Sequence, residues 1–222
     1  MSERASTREL LQQTALRLFE RDGFTEVSVA AVAREAGVSH MTFFRHFPTK
    51  ESVVTDDIFD PVLAAAVAAQ PTDRPPLERA VRGFVAALDG AEARAELNSQ
   101  EFRRRVALAA SVPALRPAVW AAGRETEVAI ARALVVPCVP DADEPGLPDV
   151  EELAARAAAA AVMGAATAVL MSWVSDSSGE GRSPSPSPGV GGTRSERGGG
   201  FPATDPATVL RTGLLTLLRD AT

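Results

Sequence analysis

The sequence has one cysteine, no tyrosine and only two histidines among 222 residues. The single Cys138 excludes an internal disulfide framework and is compatible with a reducing cytoplasm. Nothing basic adjoins it to lower its pKa, so it reads as a small loop residue rather than a redox centre. Runs of Val, Ile and Thr at period two are absent, which removes the usual mark of strands. The 45% hydrophobic content is dominated by Ala and Leu, so an all-α protein with ample core is expected. His40 and His46 lie six apart, about 240° around a helix, and cannot share a metal ion. No G-x-S-x-G, phosphate-cradling loop or dinucleotide fingerprint occurs. These absences point away from an enzyme and from any cofactor or metal. The N-terminus, MSERASTREL, is too charged for a signal peptide. Ala157 to Val174 is uncharged for 18 residues, the lower limit for a membrane span. It is rich in Ala and lacks basic flanks, so a buried helix and no membrane partner are expected.

The net charge of −6 is unevenly placed. Residues 1–50 hold seven Lys and Arg against six Asp and Glu, whereas the other 172 hold sixteen against twenty-three. Because salt screens charge within about 8–10 Å, the distant acidity does little to prevent the first fifty residues from approaching a phosphate backbone.

Those fifty residues carry three helix signatures. Ser6 and Glu9 form an S-x-x-E capping box, and Leu11, Ala15, Leu18 and Phe19 follow at helical spacing, predicting a helix over about Thr7 to Arg21 that stops at Asp22-Gly23. Ser28 caps a second, with Val29, Val32, Ala33 and Ala36 as its stripe and Gly37 as its end. Ser39 caps a third, in which Val38 and Phe43 form a hydrophobic staple and Phe47 lies one turn beyond. That arrangement turns His40, Met41, Phe44 and Arg45 outward. Helices this short need a shared core, and two of them joined through Gly make a helix-turn-helix. Pro48 closes the third helix. A fourth is expected from about Lys50 to Ala69, with a kink or short break near Asp60 caused by Pro61.

The run from Ser28 to Val54, SVAAVAREAGVSHMTFFRHFPTKESVV, resembles the DNA-binding module of the tetracycline-repressor (TetR) family, whose members carry a similar AxxAGVS, then T, an aromatic, RHF and a K-E start to helix four. The likeness extends back through helix one, about fifty residues without a gap. It implies an N-terminal three-helix helix-turn-helix domain over residues 1–50 (the motif itself about 28–47), joined by helix four to a helical ligand-binding and dimerisation domain over 51–222, about nine helices in all. It also implies a cytoplasmic regulator that binds double-stranded operator DNA as a homodimer. On a major groove, His40, Met41, Thr42 and Phe44 would approach base edges or sugars, with Ser28, Ser39, His46 and Lys50 beside the backbone and Arg45 also on the DNA-binding face. Family members usually carry Tyr where this chain has Phe44, and a smaller residue where it has Met41, so no operator sequence transfers.

The remaining residues can supply the second domain. Leu77 to Leu88, Asn98 to Ala110 (with the run Arg103-Arg104-Arg105) and Ala114 to Val136 read as helices. Pro137 to Pro148 reads as an exposed connection. Asp149 to about Ser175 is the most apolar helix, and its alanines with Gly164 would allow close helix approach. Residues 175–204 hold nineteen Gly, Ser or Pro and read as a disordered loop. A last helix, Pro206 to Arg219, would join its predecessor in a two-fold dimer interface, as in the TetR family. A cavity among the middle helices would be lined by Phe84, Phe102, Trp120, Met163 and Trp173, with Asn98, Arg103, Arg105, Arg124 or Glu125 as polar anchors, for a small apolar or amphipathic effector. Each is equally a core or surface residue on sequence alone. A ligand-independent regulator, activating or architectural, is the alternative, and a partner-binding protein with a decayed DNA module is a third.

Overall fold

A computed structural model describes residues 6–56, 62–135, 150–179 and 205–220; the predicted connection at 137–148, Cys138, Pro61 and most of the predicted loop at 175–204 lie outside them. The described residues are helical, with no strand. The first three helices form where their caps place them: α1 (Thr7–Asp22), α2 (Val29–Glu35) and α3 (His40–His46). At α1 the Ser6 hydroxyl accepts the Glu9 amide at 3.2 Å while the Ser6 amide donates to Glu9 Oε2 at 2.7 Å, closing the capping box. Ser28 accepts from the Ala31 amide at 3.1 Å and Ser39 from the Thr42 amide at 3.0 Å. Gly37 stands at φ +70°, a left-handed conformation costly for a residue with a side chain, and this reversal aims α3 away from α2.

The fourth helix departs from expectation. α4 spans only Ser52–Thr55, with Lys50 and Glu51 in the preceding turn, and the chain turns extended at Asp56 (ψ 143°) before resuming as α5 (Val62–Ala68). The break thus begins at Asp56 rather than near Asp60. Its cause is tertiary: the Asp56 carboxylate receives Arg8 at 3.2 Å, and its carbonyl receives the buried Arg105 guanidinium.

Beyond it lie α6 (Pro76–Leu88), α7 (Ala91–Asn98), α8 (Gln100–Ser111), a single 3-10 turn (Pro113–Leu115), α9 (Arg116–Leu134), α10 (Val150–Gly179) and α11 (Pro206–Asp220). Eleven α-helices are described where about nine were expected. The broken fourth helix supplies one extra, and α7 supplies the other: its sequence AEARAELN buries only Leu97 and so carries no apolar stripe. The ends of α6, α8, α9 and α11 fall within about two residues of expectation, whereas α10 runs on to Gly179, past the predicted loop start at 175.

Two apolar cores result. One joins α1–α4 through Leu11, Leu16, Phe19, Val32, Phe43, Phe47, Val53 and Val54, and it extends into the later chain through Leu108, Ala109, Leu115 and Val119. The other joins α5, α6 and α7–α11 around Phe84, Phe102, Ile130, Val162, Leu170 and Leu214. Close approach is made at Gly83, where an added Cβ would lie 2.5 Å from Val67 Cα, and not at Gly164, which faces open space. Arg79, buried, caps α9 by donating to the Leu134 and Ala133 carbonyls at 2.8 and 3.3 Å. The Val150–Ser175 stretch of α10 is long and apolar enough to cross a membrane by length and composition, yet it packs against α6, α8, α9 and α11. It buries Ala155, Ala159, Val162, Ala166, Leu170 and Trp173 and leaves Ala157, Ala160, Ala161, Gly164 and Ala168 exposed, so it is covered on one side rather than all round.

Candidate nucleic-acid interface

The outer face of α3 follows from which of its rings are buried. Phe43 and Phe47 are fully enclosed with ring centroids 5.8 Å apart, and Val38 packs beside them. The opposite face therefore projects from the module. Met41 is 76% exposed, Phe44 38%, and His40 and Arg45 are exposed as well. Phe44 is braced edge-on by His40 at 4.8 Å and by Phe43 at 5.5 Å. Thr42, half-buried, shares a 2.8 Å hydroxyl hydrogen bond with Ser39, so one polar pair marks the helix start. Apolar tips flanked by a histidine, a threonine and an arginine give a surface able to meet both methyl groups and hydrogen-bonding edges in a groove.

The flanks are less uniform. Ser28 and Ser39 are exposed but occupied as helix caps; the cap leaves the Ser28 hydroxyl proton free to donate, whereas the Ser39 hydroxyl is also engaged with that of Thr42. Lys50 is half-buried and folds back: its ammonium donates to the Phe24 and Val27 carbonyls at 2.7 and 3.1 Å and sits 4.2 Å from the Phe24 ring centroid. Its third proton alone is left to face a phosphate. His46 is half-buried, and its carbonyl accepts Arg8 Nη1 at 2.7 Å. Arg8, which sequence reasoning missed, also lies 4.5 Å over Phe47 and pairs with Asp56, tying the start of α1 to the ends of α3 and α4. Only the final fold brings these partners together, so no local pattern betrays it. Among the described residues Arg34 and Arg45 make no ion pair, whereas Arg17 pairs with Glu35 and Arg21 with Asp22. Hydrogen bonding by Arg21 holds the Asp22 carboxyl below its usual range.

Acidity behind this face is neutralised by α8. Arg104 grips Glu20 with two hydrogen bonds of 2.7 and 2.6 Å, which raises the guanidinium pKa, and Gln13 donates to Glu101 at 3.2 Å. Arg105, 1% exposed, joins the Asp56 carbonyl to Glu96 on α7.

The residues expected to line an effector cavity divide. Phe84, Phe102 and Trp173 are packed into the second core, because bulky aromatic rings fill the bundle interior instead of bordering a void. Asn98 is exposed and donates to the Arg94 carbonyl at 2.9 Å, beside a polar recess of about 440 Å³ with Asp89, Asp205 and Arg211. Arg103 is half-buried on α8, and Arg105 is spent on Asp56 and Glu96. Trp120, Arg124 and Met163 do converge, on an open groove of about 470 Å³ between α8, α9 and α10.

Residues 11–56 match the family model described as bacterial regulatory proteins, tetR family. The HTH-type transcriptional regulator EthR of Mycolicibacterium smegmatis is 43% identical over 53 residues, 24% of each chain, and TcmR of Streptomyces glaucescens is 36% identical over 84 residues, 37% of each. The matches thus span well under half the length of these relatives. The crystal structure of NalD, the secondary repressor of the MexAB-OprM multidrug efflux pump in Pseudomonas aeruginosa, shares the fold at a TM-score of 0.50 over 96% of this chain and 94% of that one, at 17% identity.

Proposed function

We propose, from the match of residues 11–56 to the tetR family of bacterial regulatory proteins, that the chain is a cytoplasmic, homodimeric repressor held on a palindromic DNA operator by α3 and released by a small apolar or amphipathic effector. The observation that carries the reading is the division of α3 into a buried side, Phe43 and Phe47, and an exposed side, His40, Met41, Phe44 and Arg45. An α-helix of this width enters a major groove, where His40 can bond N7 or O6 groups and Met41 and Phe44 can meet thymine methyls or sugars. Arg45, Ser28, Ser39, His46 and the last proton of Lys50 would hold the backbone. With a local charge balance so near neutral, one module alone binds weakly. Two modules on two half-sites combine their contacts. The exposed strip of α10 at Ala157, Ala161 and Ser172, adjoining Thr212, Leu215 and Thr216 of α11, supports pairing through the last two helices. Residues 1–50 would then act as the DNA-binding domain and 51–222 as the regulatory one, with no catalytic step.

Fluorescence anisotropy with labelled DNA from upstream of the protein's own coding region tests this. Binding should saturate at one dimer per palindromic site and weaken steeply as salt rises, because phosphate contacts release counterions. Affinity that is indifferent to salt and to the sequence of the DNA would contradict it. A ligand-independent regulator is the second reading, favoured by the filling of the bundle interior with Phe84, Phe102 and Trp173.

A further inference from the structure

The groove between α8, α9 and α10 has a one-sided charge pattern and an unusual set of walls. Along α9 its lining repeats at helical spacing, Arg116, Trp120, Arg124 and Glu127, and along α10 it runs through Ala160, Gly164, Thr167, Met171 and Ser175. At a rise of 1.5 Å per residue these stripes are about 16–22 Å long, so a volume of about 470 Å³ describes a narrow trough suited to an elongated body. The middle is apolar, with Trp120 74% exposed along it. At one end Arg124 is already neutralised by Glu127. At the other, Arg116 is exposed and has no ion pair among the described residues.

We propose that this groove binds a single-headed organic anion with an elongated apolar body, the acid group at Arg116 and the body along Trp120 and Met163. This deepens the effector reading given above and rests on it. The occupant is set by charge complementarity: one uncompensated cation at one end calls for one anionic head, and the neutral Arg124–Glu127 end calls for none. The same walls explain how occupancy reaches DNA. Ala109, Val119 and Met171 line the groove and also pack with the core of α1–α4, and Arg116 follows directly on Leu115, which that core encloses completely. A body lodged in the groove therefore presses on residues that set the stance of α3. Release requires only that the filled groove favour one stance over the other.

Sodium decanoate below its micellar range is the probe, titrated into the full chain by calorimetry and by tryptophan fluorescence, with decyltrimethylammonium as the opposite-charge control. Decanoate should bind saturably, shift the emission through Trp120 so that Trp120→Phe abolishes the shift, and lower DNA affinity; the cation should do none of these. Arg116→Gln should weaken decanoate about tenfold, the loss of one charge-assisted contact, without altering unliganded DNA binding. Ala160→Leu, which lengthens an exposed groove wall, should block the probe while the dimer mass is kept. Equal binding by Arg116→Gln and the unmodified chain would overturn the proposal, as would decanoate binding that leaves DNA affinity unchanged. Absence of decanoate binding to the unmodified chain would overturn it, and loss of the dimer in Ala160→Leu as well would point to a second copy covering the groove. Calorimetry requires no DNA, so a failure of the groove is separable from a failure of DNA binding.

Discussion

The first four helices and the last seven solve the problem of stability differently. In α1–α3 each helix is fixed by its own neighbours in sequence: a serine cap at the start, a glycine or proline signal near the end, and an apolar stripe between. Among the described ends of α5–α11, Ser99 and Asp205 cap the starts of α8 and α11, and the helices are otherwise placed by contacts made far along the chain, such as Arg79 on the α9 terminus and Gly83 on Val67. A module that presents one helix with a fixed aim thus encodes that aim locally, while the bundle behind it is held by distant partners. α8 joins the two, facing α1 and α4 with Arg104, Arg105 and Leu108 and the groove with Ala109 and Ala110.

The comparison breaks most visibly inside α3. Phe43→Ala should cost about 3–5 kcal/mol by emptying a fully enclosed site, whereas its neighbour Phe44→Ala should change stability by less than about 1 kcal/mol and act on DNA affinity instead. Chemical denaturation paired with anisotropy separates the two. At the joint, Arg105→Met should cost about 1–3 kcal/mol, because the half-buried Asp56 carbonyl loses the guanidinium donor, and should split one unfolding transition into two as α1–α4 loosens from α8. In the second core, Gly83→Ala should cost about 1–3 kcal/mol, since the new Cβ meets backbone atoms of Val67 that cannot swing aside. The smallest effect is electrostatic. Arg211 and then Arg94 hold the Asp89 carboxyl below its ordinary 3.8, so the tie from α11 to the α6–α7 turn is complete above that value and is lost as pH falls through the depressed one. Hydrogen exchange in α11 should quicken only in that acid range, and modestly, since these side chains are well solvated.

What was legible in the sequence follows the same division. Ser6, Ser28, Ser39, Gly37, Phe43 and Phe47 announce α1–α3 and the outward face of α3, since caps and stripes act within a turn or two. The break at Asp56 was misplaced because its causes, Arg8 and Arg105, lie 48 and 49 residues away in sequence. Helix α7 was invisible because it buries only Leu97. Phe84, Phe102 and Trp173 lie in the second core, an alternative the sequence leaves open beside cavity lining, because an aromatic ring on an apolar face reads alike whether it borders a void or a neighbour. Lys50 reads as a free cation until Phe24 and Val27 are seen to hold it.

The central claim is that the exposed side of α3 reads DNA. Its most direct test is selection of fragments from the source genome by the purified chain, run beside a His40→Ala, Met41→Ala, Phe44→Ala variant whose unfolding midpoint matches the parent. The account predicts that the parent enriches a small set of fragments sharing a palindrome and that the variant enriches none. Enrichment of the same fragments by both proteins, or of no fragment by the parent, would contradict it.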